Sequence, residues 1–111
     1  MLTAQAVADR TNAEPTDQVV IDVTAAVNAL VNDANGTRWV PADPDEPDGA
    51  TVWADSTYLG ALMLAARLVR RANSPAGIEA FLESGVAYVQ RTDPDVASLL
   101  RLGSFAPPMT G

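Results

Sequence analysis

Three residue types that carry much of enzyme chemistry are missing from this chain of 111 residues. It contains no cysteine and no histidine, and its seven basic side chains are all arginines because lysine is absent too. Without cysteine there is no disulfide, thiolate metal ligand or cysteine nucleophile. Without histidine and lysine there is no Ser-His-Asp triad, Schiff-base chemistry or Walker-type lysine. We therefore expect neither an enzyme nor a cofactor.

Long apolar runs are missing as well. No stretch approaches the roughly 18 uninterrupted apolar residues of a membrane span, and the first residues lack the basic and apolar regions of a signal peptide. The hydrophobic fraction of 48% is nevertheless high enough for one domain of this length to build its own core. These features predict a soluble, unexported protein of one domain with no membrane partner.

Charge is divided unevenly along the chain. The net charge of -7 opposes binding to duplex DNA by bulk electrostatics. Residues 1–55 carry a balance of -8, whereas residues 56–111 carry +1. Two interpretations are open. The acids solvate an exposed half of the domain, or copies of the chain, or the chain and a partner, meet through complementary faces.

Two amphipathic helices are predicted in the first third of the chain. Thr3 is a suitable N-cap for a short helix that ends at the breaker region from Asn12 to Pro15. A second helix, capped by Thr16, is predicted to run to about Ala34 because apolar residues recur at steps of three and four. They are Val20, Val23, Val27, Leu30 and Val31.

A segment rich in proline and acid follows at residues 37–50, and its prolines exclude a helix or a central strand. We expect an exposed acidic loop whose base is held by Trp39 and Val40. Its acids are Asp43, Asp45, Glu46 and Asp48. The run departs from a calcium-binding loop, because Pro47 stands where the third carboxylate belongs and Ala54 where the distal bidentate Glu belongs.

The longest helix is predicted from Thr51 or Asp55 to Ala72. It is apolar nearly all round, more than a domain of this size is expected to cover, so we expect a subunit interface on it. Mid-helix Gly60 indicates close approach of another backbone. The interface candidates are Tyr58, Gly60, Leu64, Leu68, Arg67, Arg70 and Arg71. The three arginines either bind an anionic partner surface or complement the helix dipole.

The last third of the chain is predicted to hold a short helix at 76–82, interrupted near Ser84, a short strand at 86–91 and a final helix. That helix starts at Thr92 or Asp93 with Pro94 in its first position, and Gly103 ends it. The predicted fold is all-α, with about four helices in residues 1–103, the acidic loop at 37–50 and an extended tail at 104–111. The predicted partner-docking residues are Leu102, Phe105, Pro107, Pro108 and Met109.

Two stretches resemble the head-to-tail adaptor (connector) proteins of tailed bacteriophages, especially those of actinobacteria. The first is Met63-Leu-Ala-Ala-Arg-Leu-Val-Arg-Arg-Ala-Asn-Ser-Pro75-Ala-Gly77. The second runs through Tyr88-Val-Gln-Arg-Thr-Asp-Pro-Asp-Val-Ala-Ser-Leu-Leu-Arg-Leu-Gly103 into Ser104-Phe-Ala-Pro-Pro-Met-Thr-Gly111. The most specific part is the Arg-rich helix end with Asn-Ser-Pro-x-Gly, combined with Asp-Pro-Asp-Val-Ala-x-Leu-Leu-x-Leu-Gly before a Pro-Pro tail.

The resemblance implies a structural protein of the virion neck that is assembled in the host cytoplasm. It implies a homo-oligomeric ring, expected to be twelve-fold, that bridges the portal protein to the head-closure (stopper) protein. Double-stranded DNA would pass through the lumen without sequence recognition. An acidic lumen suits this role, because repelled phosphates slide where cationic walls would hold them.

A different class of function also fits the composition. An acidic binding module could occupy the nucleic-acid site of a partner protein, and competition with DNA for a basic protein would distinguish it from a ring-forming adaptor. Carboxylate pairs for glycoside hydrolysis occur by chance among fourteen acids, but the chain is too short to build a sugar cleft around them.

Overall fold

A computed structural model describes residues 1–71 and 75–102, with the backbone alone for 75–80. Those residues form five helices and one β-hairpin: α1 (Ala4–Thr11), α2 (Gln18–Asp33), β1 (Trp39–Pro41), β2 (Thr51–Trp53), α3 (Asp55–Arg70), α4 (Pro75–Thr92) and α5 (Pro94–Leu100). The prediction of a small, mainly helical domain is confirmed. The prediction of a strictly all-α fold is wrong, because β1 and β2 pair.

The first two helices begin at local capping signals. Thr3 accepts a hydrogen bond from the amide of Ala6 at 3.1 Å, as predicted for the start of α1. The N-cap of α2 is Asp17 rather than Thr16, because the Asp17 carboxylate accepts from the amide of Val19 at 2.9 Å. A carboxylate there also interacts favourably with the positive end of the helix dipole.

Helix α3 lies at the centre of the fold, in contact with α1, α2 and α5. These neighbouring helices cover apolar residues on several faces of α3. Its fully covered side chains are Ala61, Leu64, Ala65 and Leu68, each 0% exposed. They belong to one continuous core with residues of the other helices, such as Val7, Val27, Val89 and Leu100. The chain therefore covers most of the apolar residues of α3, wholly or in part, by itself.

The hairpin leads into α3, and its strand β1 lies inside the predicted loop 37–50, so that prediction is wrong for residues 39–41. The acidic loop of the structure is residues 42–50. Its strands are antiparallel, with Trp39 opposite Trp53 and Val40 opposite Val52. The expectation that Trp39 holds the base of the loop is wrong, because Trp39 is 47% exposed. Trp53 holds it instead. Its side chain is buried next to the start of α3, and its Nε1 donates to Oδ1 of Asn32 on α2 at 3.0 Å.

The segment 86–91 is helical, so the predicted short strand is wrong. It belongs to α4, which continues across a kink at Ser84, where φ is -142° and ψ is 49°. The kink lies where the sequence predicts an interruption. A strand at 86–91 would need a neighbouring strand to satisfy its backbone groups, whereas a helix satisfies them internally. Phe81 and Tyr88, on either side of the kink, still meet edge to face at 6.0 Å between ring centroids.

Helix α5 begins as predicted, with Asp93 in the N-cap position and Pro94 in the first turn. It ends at Leu100, so the prediction that Gly103 ends it is wrong, because Arg101 already adopts the left-handed conformation that caps the helix. Gly60 allows α5 to dock on α3, since a Cβ at Gly60 would come within 2.9 Å of Cβ of Leu99. The close approach at Gly60 therefore comes from this chain's own α5.

Candidate functional site

The arginine cluster at the C-terminal end of α3 divides between two neighbours. Arg67 and Arg71 point towards the start of α5, where Asp93 and Asp95 flank Pro94. Arg70 points towards α1, and its Nη2 lies 3.5 Å from the carbonyl oxygen of Arg10. The spacing of three and four residues places the guanidinium groups on neighbouring faces of one helix end.

Asp93 is the buried centre of this cluster, with a side chain only 3% exposed. Its Oδ1 accepts from Nη1 of Arg67 at 3.0 Å and from Nη2 of Arg71 at 2.9 Å. Its Oδ2 accepts from Nη1 of Arg71 at 2.8 Å. Two guanidinium groups thus neutralise one buried carboxylate and fill its hydrogen-bonding capacity, which is the condition for burying a charge.

Two more side chains complete the cluster at its rim. Asp95, whose side chain is 55% exposed, accepts two parallel bonds from Arg67, at 2.8 Å to Oδ1 and 2.7 Å to Oδ2. Nη1 of Arg71 donates to the hydroxyl of Tyr88 on α4 at 3.1 Å. The cluster therefore ties the ends of α3, α4 and α5 together.

The pairing changes the titration of every charged member. The hydrogen bonds that Arg67 donates to Asp95 are the largest cause of its raised pKa, and those that Arg71 donates to Asp93 are the largest cause of the raised pKa of Arg71. Burial opposes ionisation of Asp93, but the bonds and charges of Arg71 and Arg67 outweigh it and lower its pKa. The bidentate bond from Arg67 lowers the pKa of Asp95 to about 2.

These shifts predict a specific loss of stability in acid. A carboxylate whose pKa is lower in the folded state stabilises the fold above its unfolded-state pKa, about 3.9 for Asp, and loses that contribution as the pH falls through the folded value. We expect the free energy of unfolding, measured in urea, to fall between about pH 4 and pH 2. Because histidine is absent, it should stay nearly constant from about pH 5 to pH 8. Constant stability down to pH 2 would contradict the pairing.

The arginine part of the predicted subunit interface is corrected at two positions. Arg67 and Arg71 do face acids, but the acids belong to the same chain, so the prediction that these residues pair with a neighbouring subunit is wrong. Arg70 is different. It is exposed and forms no ion pair with a described acidic side chain. Together with Arg10 and Arg67 it lines a small cavity of about 120 Å³, whose apolar wall is Met63 and Ala66.

The predicted apolar interface also changes. Leu64 and Leu68 have no exposed surface in the single chain, and Gly60 is covered by Leu99 and Leu100, so the prediction that they contact another subunit is wrong. Tyr58 remains available because it is 37% exposed. Its neighbour Leu59, which the sequence interpretation did not select, is 43% exposed. The apolar surface that α3 offers to a partner is therefore at its first turns.

The predicted docking tail is described only at its first residue. Leu102 is 1% exposed and belongs to the core, which makes its assignment as a partner-docking residue wrong. Its carbonyl oxygen accepts from Nε2 of Gln90 at 3.2 Å. The other docking candidates, Phe105, Pro107, Pro108 and Met109, and the proposed tail segment 104–111 lie outside the described residues.

The acidic loop is exposed throughout, as predicted. Asp43, Asp45, Glu46 and Asp48 all lie on the surface, and none pairs with an arginine that the structure describes. Backbone hydrogen bonds shape the loop, from Glu46 to the carbonyl of Asp43 at 3.0 Å and from Gly49 to that of Glu46 at 2.9 Å. In the described part of the chain, no group of acids is arranged to hold a metal ion.

One open surface has no counterpart in the sequence interpretation. A shallow apolar groove separates α2 from α4, and it is lined by Ala26, Leu30, Phe81 and Leu82. Leu82 is 65% exposed on its rim. The signal in the sequence is weak, because the groove follows from the kink at Ser84 and from the relative placement of two helices that are distant in sequence.

Comparisons with protein-family models, with curated proteins and with solved structures find no match to this chain. Among the described helices, none has both the length and the hydropathy needed to cross a bilayer.

Proposed function

We propose that this protein is a head-to-tail adaptor of a tailed bacteriophage, which forms a ring between the portal and the head-closure protein and lets DNA pass through its lumen. The supporting observation is that the two stretches that resemble the adaptor family form one structural unit. Arg67 and Arg71 come from the first stretch, and Asp93, Asp95 and Tyr88 come from the second. The residues that carry the resemblance hold each other in place.

Exposed apolar residues on the surface of the domain support its assembly with other protein subunits. The hairpin exposes Trp39 and Val52, and the start of α3 exposes Tyr58 and Leu59. Exposed aromatic and apolar residues next to charged groups are typical anchors of protein interfaces. The acidic loop beside them would repel the phosphates of passing DNA and would not trap the duplex.

The proposal is tested by deleting the gene from the phage genome that encodes it and imaging the particles. We expect filled heads and separate tails to accumulate, because the component that joins them is missing. A plasmid copy of the wild-type gene should restore joined particles. Normal numbers of joined, infectious particles without the protein would contradict the proposal.

The alternative, an acidic module that blocks a nucleic-acid site on a partner protein, is supported by the exposed carboxylates of the acidic loop. The two functions predict different complexes. An adaptor should add a ring to purified portal, visible as a large increase in particle mass. A blocking module should instead compete with DNA for a basic protein, and neutralising the loop acids should abolish that competition.

A further inference from the structure

Opposite charges lie at the two ends of α3, and most of them have no ion-pair partner among the described side chains. The acids of the acidic loop, Asp43 to Asp48, lie between the two strands of the hairpin, and the hairpin ends just before the first residue of α3. The cavity lined by Arg10, Arg67 and Arg70, called here the basic pocket, lies at its last turns. The sixteen residues of α3 span about 24 Å at 1.5 Å per residue, so the helix separates the two features.

The basic pocket offers positive charge to an anion that the described residues do not provide. The guanidinium groups of Arg10 and Arg70 have no acidic partner among the described side chains, although the protein has twice as many acids as arginines. The pocket volume of about 120 Å³ is several times the ~30 Å³ that one water molecule occupies in the liquid. It therefore has room for the carboxyl end of an Asp or Glu side chain.

Hydrogen bonds within the acidic loop restrain its conformation. Its ends are joined by a hydrogen bond from the amide of Ala42 to the carbonyl of Ala50 at 2.9 Å. The amide of Asp45 donates to Oδ1 of Asp43 at 3.0 Å. These bonds restrain the loop, whose carboxylates are exposed, and a restrained loop loses less entropy on binding.

The geometry points to a second copy of this chain as the occupant of the basic pocket, with the acidic loop of one copy docked between Arg10 and Arg70 of the next. This inference deepens the proposed function and rests on it. Two different patches at opposite ends of one element make a head-to-tail contact, and such a contact closes into a ring when its rotation permits. Charge complementarity also fixes which ends meet, because like ends repel.

The test uses the full chain and two charge-reversed variants. In the pocket variant, Arg10→Glu is combined with Arg70→Glu, and Arg67 is kept because it pairs with Asp93 and Asp95. In the loop variant, Asp45→Arg is combined with Glu46→Arg. Self-association is measured by sedimentation over a concentration series at low salt. We expect each variant alone to associate about tenfold more weakly than wild type, or worse, with helical circular dichroism unchanged.

Mixing the two variants gives the decisive result. The acidic loop of the pocket variant fits the basic pocket of the loop variant, and the basic loop of the latter fits the reversed pocket of the former. An equimolar mixture should therefore regain association close to that of wild type. Arg91→Glu serves as the control, because Arg91 is also an exposed arginine in the last turn of a helix but lies outside the pocket. This control should associate like wild type.

Three results would overturn the inference: no self-association of the wild type up to about millimolar concentration, normal association of either variant alone, or no rescue in the mixture. The proposed function fails independently, through normal particles in the gene deletion. If the deletion separates heads from tails while the mixture shows no rescue, the adaptor role stands and only this contact is wrong. If the mixture is rescued but particles form without the protein, the contact stands and the adaptor role is wrong.

Discussion

The variant Leu64→Glu is expected to unfold the isolated chain rather than merely block its assembly. Leu64 is 0% exposed at the centre of the core, between α3 and its neighbours. Removing a buried leucine side chain costs about 2–5 kcal/mol, and an unpaired buried carboxylate adds several more. The sum is comparable to the ~5–15 kcal/mol that stabilises a typical domain, so little or no stability should remain. Circular dichroism at neutral pH should show loss of helix without any partner present.

The matched control is Leu59→Glu on the same helix. Leu59 is 43% exposed, so its carboxylate would stay in water and the fold should be retained. If Leu59 takes part in a subunit contact, this variant should fold normally and assemble poorly. A folded, stable Leu64→Glu chain would show that the position is not core, and would return it to the list of interface candidates.

Replacing Asp93 by Ala is expected to cause the second large loss. The change leaves Arg67 and Arg71 facing each other across the space of the missing carboxylate, and it leaves the pair between Arg67 and Asp95 as the remaining ion pair between α3 and the start of α5 among the described residues. Breaking a buried ion pair from one side typically costs about 3–5 kcal/mol, and the partial exposure of both arginines favours the lower end here. Urea denaturation should show a clearly lower midpoint with a similar slope.

Asp95→Asn is the control for this variant, because it removes an acid two residues away that is bound to the same Arg67. The Asp95 side chain is 55% exposed, so water replaces much of what is lost and the midpoint should move far less. Equal effects of the two variants would mean that burial of Asp93 does not distinguish it. In that case the cluster would act as a surface ion pair.

The parts of the fold that depend on short-range signals could be predicted from the sequence. Thr3, Pro94 and the interruption near Ser84 each act within one helical turn, so their effect is visible in the sequence itself. The hairpin could not be predicted in this way. Its strands have three residues each, and they exist only because residues 39–41 and 51–53 pair across an intervening loop of nine residues.

The apolar pattern of α3 correctly predicted that other residues cover several faces of the helix. It did not show whether those residues belong to the same chain or to a second subunit. Burial against the same chain and burial against a second subunit leave the same pattern of apolar residues in a sequence. The close approach at Gly60 was equally ambiguous, and the structure shows that Leu99 and Leu100 make it. To decide whether the same chain or a second subunit covers α3, one must know how helices about 40 residues apart in sequence pack together.

The same ambiguity affected the charges. The arginines at the end of α3 were expected to face carboxylates, and two of them do, but Asp93 and Asp95 lie 22 to 28 residues further along the same chain. No spacing rule connects groups at that separation. Five arginines have no ion pair with a described acid, and only the structure shows that two of them, Arg10 and Arg70, line the same pocket.

The burial of Leu102 fixes the point at which residues 103–111 are joined to the domain. Its side chain is enclosed by the core and its carbonyl is held by Gln90, so residue 103 is joined to the domain at a fixed point close to Gly36. A fully extended chain advances at most ~3.6 Å per residue, which places Met109, seven residues on, no more than about 25 Å from that point. If Met109 docks on a partner, as the sequence predicts, the pocket that receives it must open within this radius.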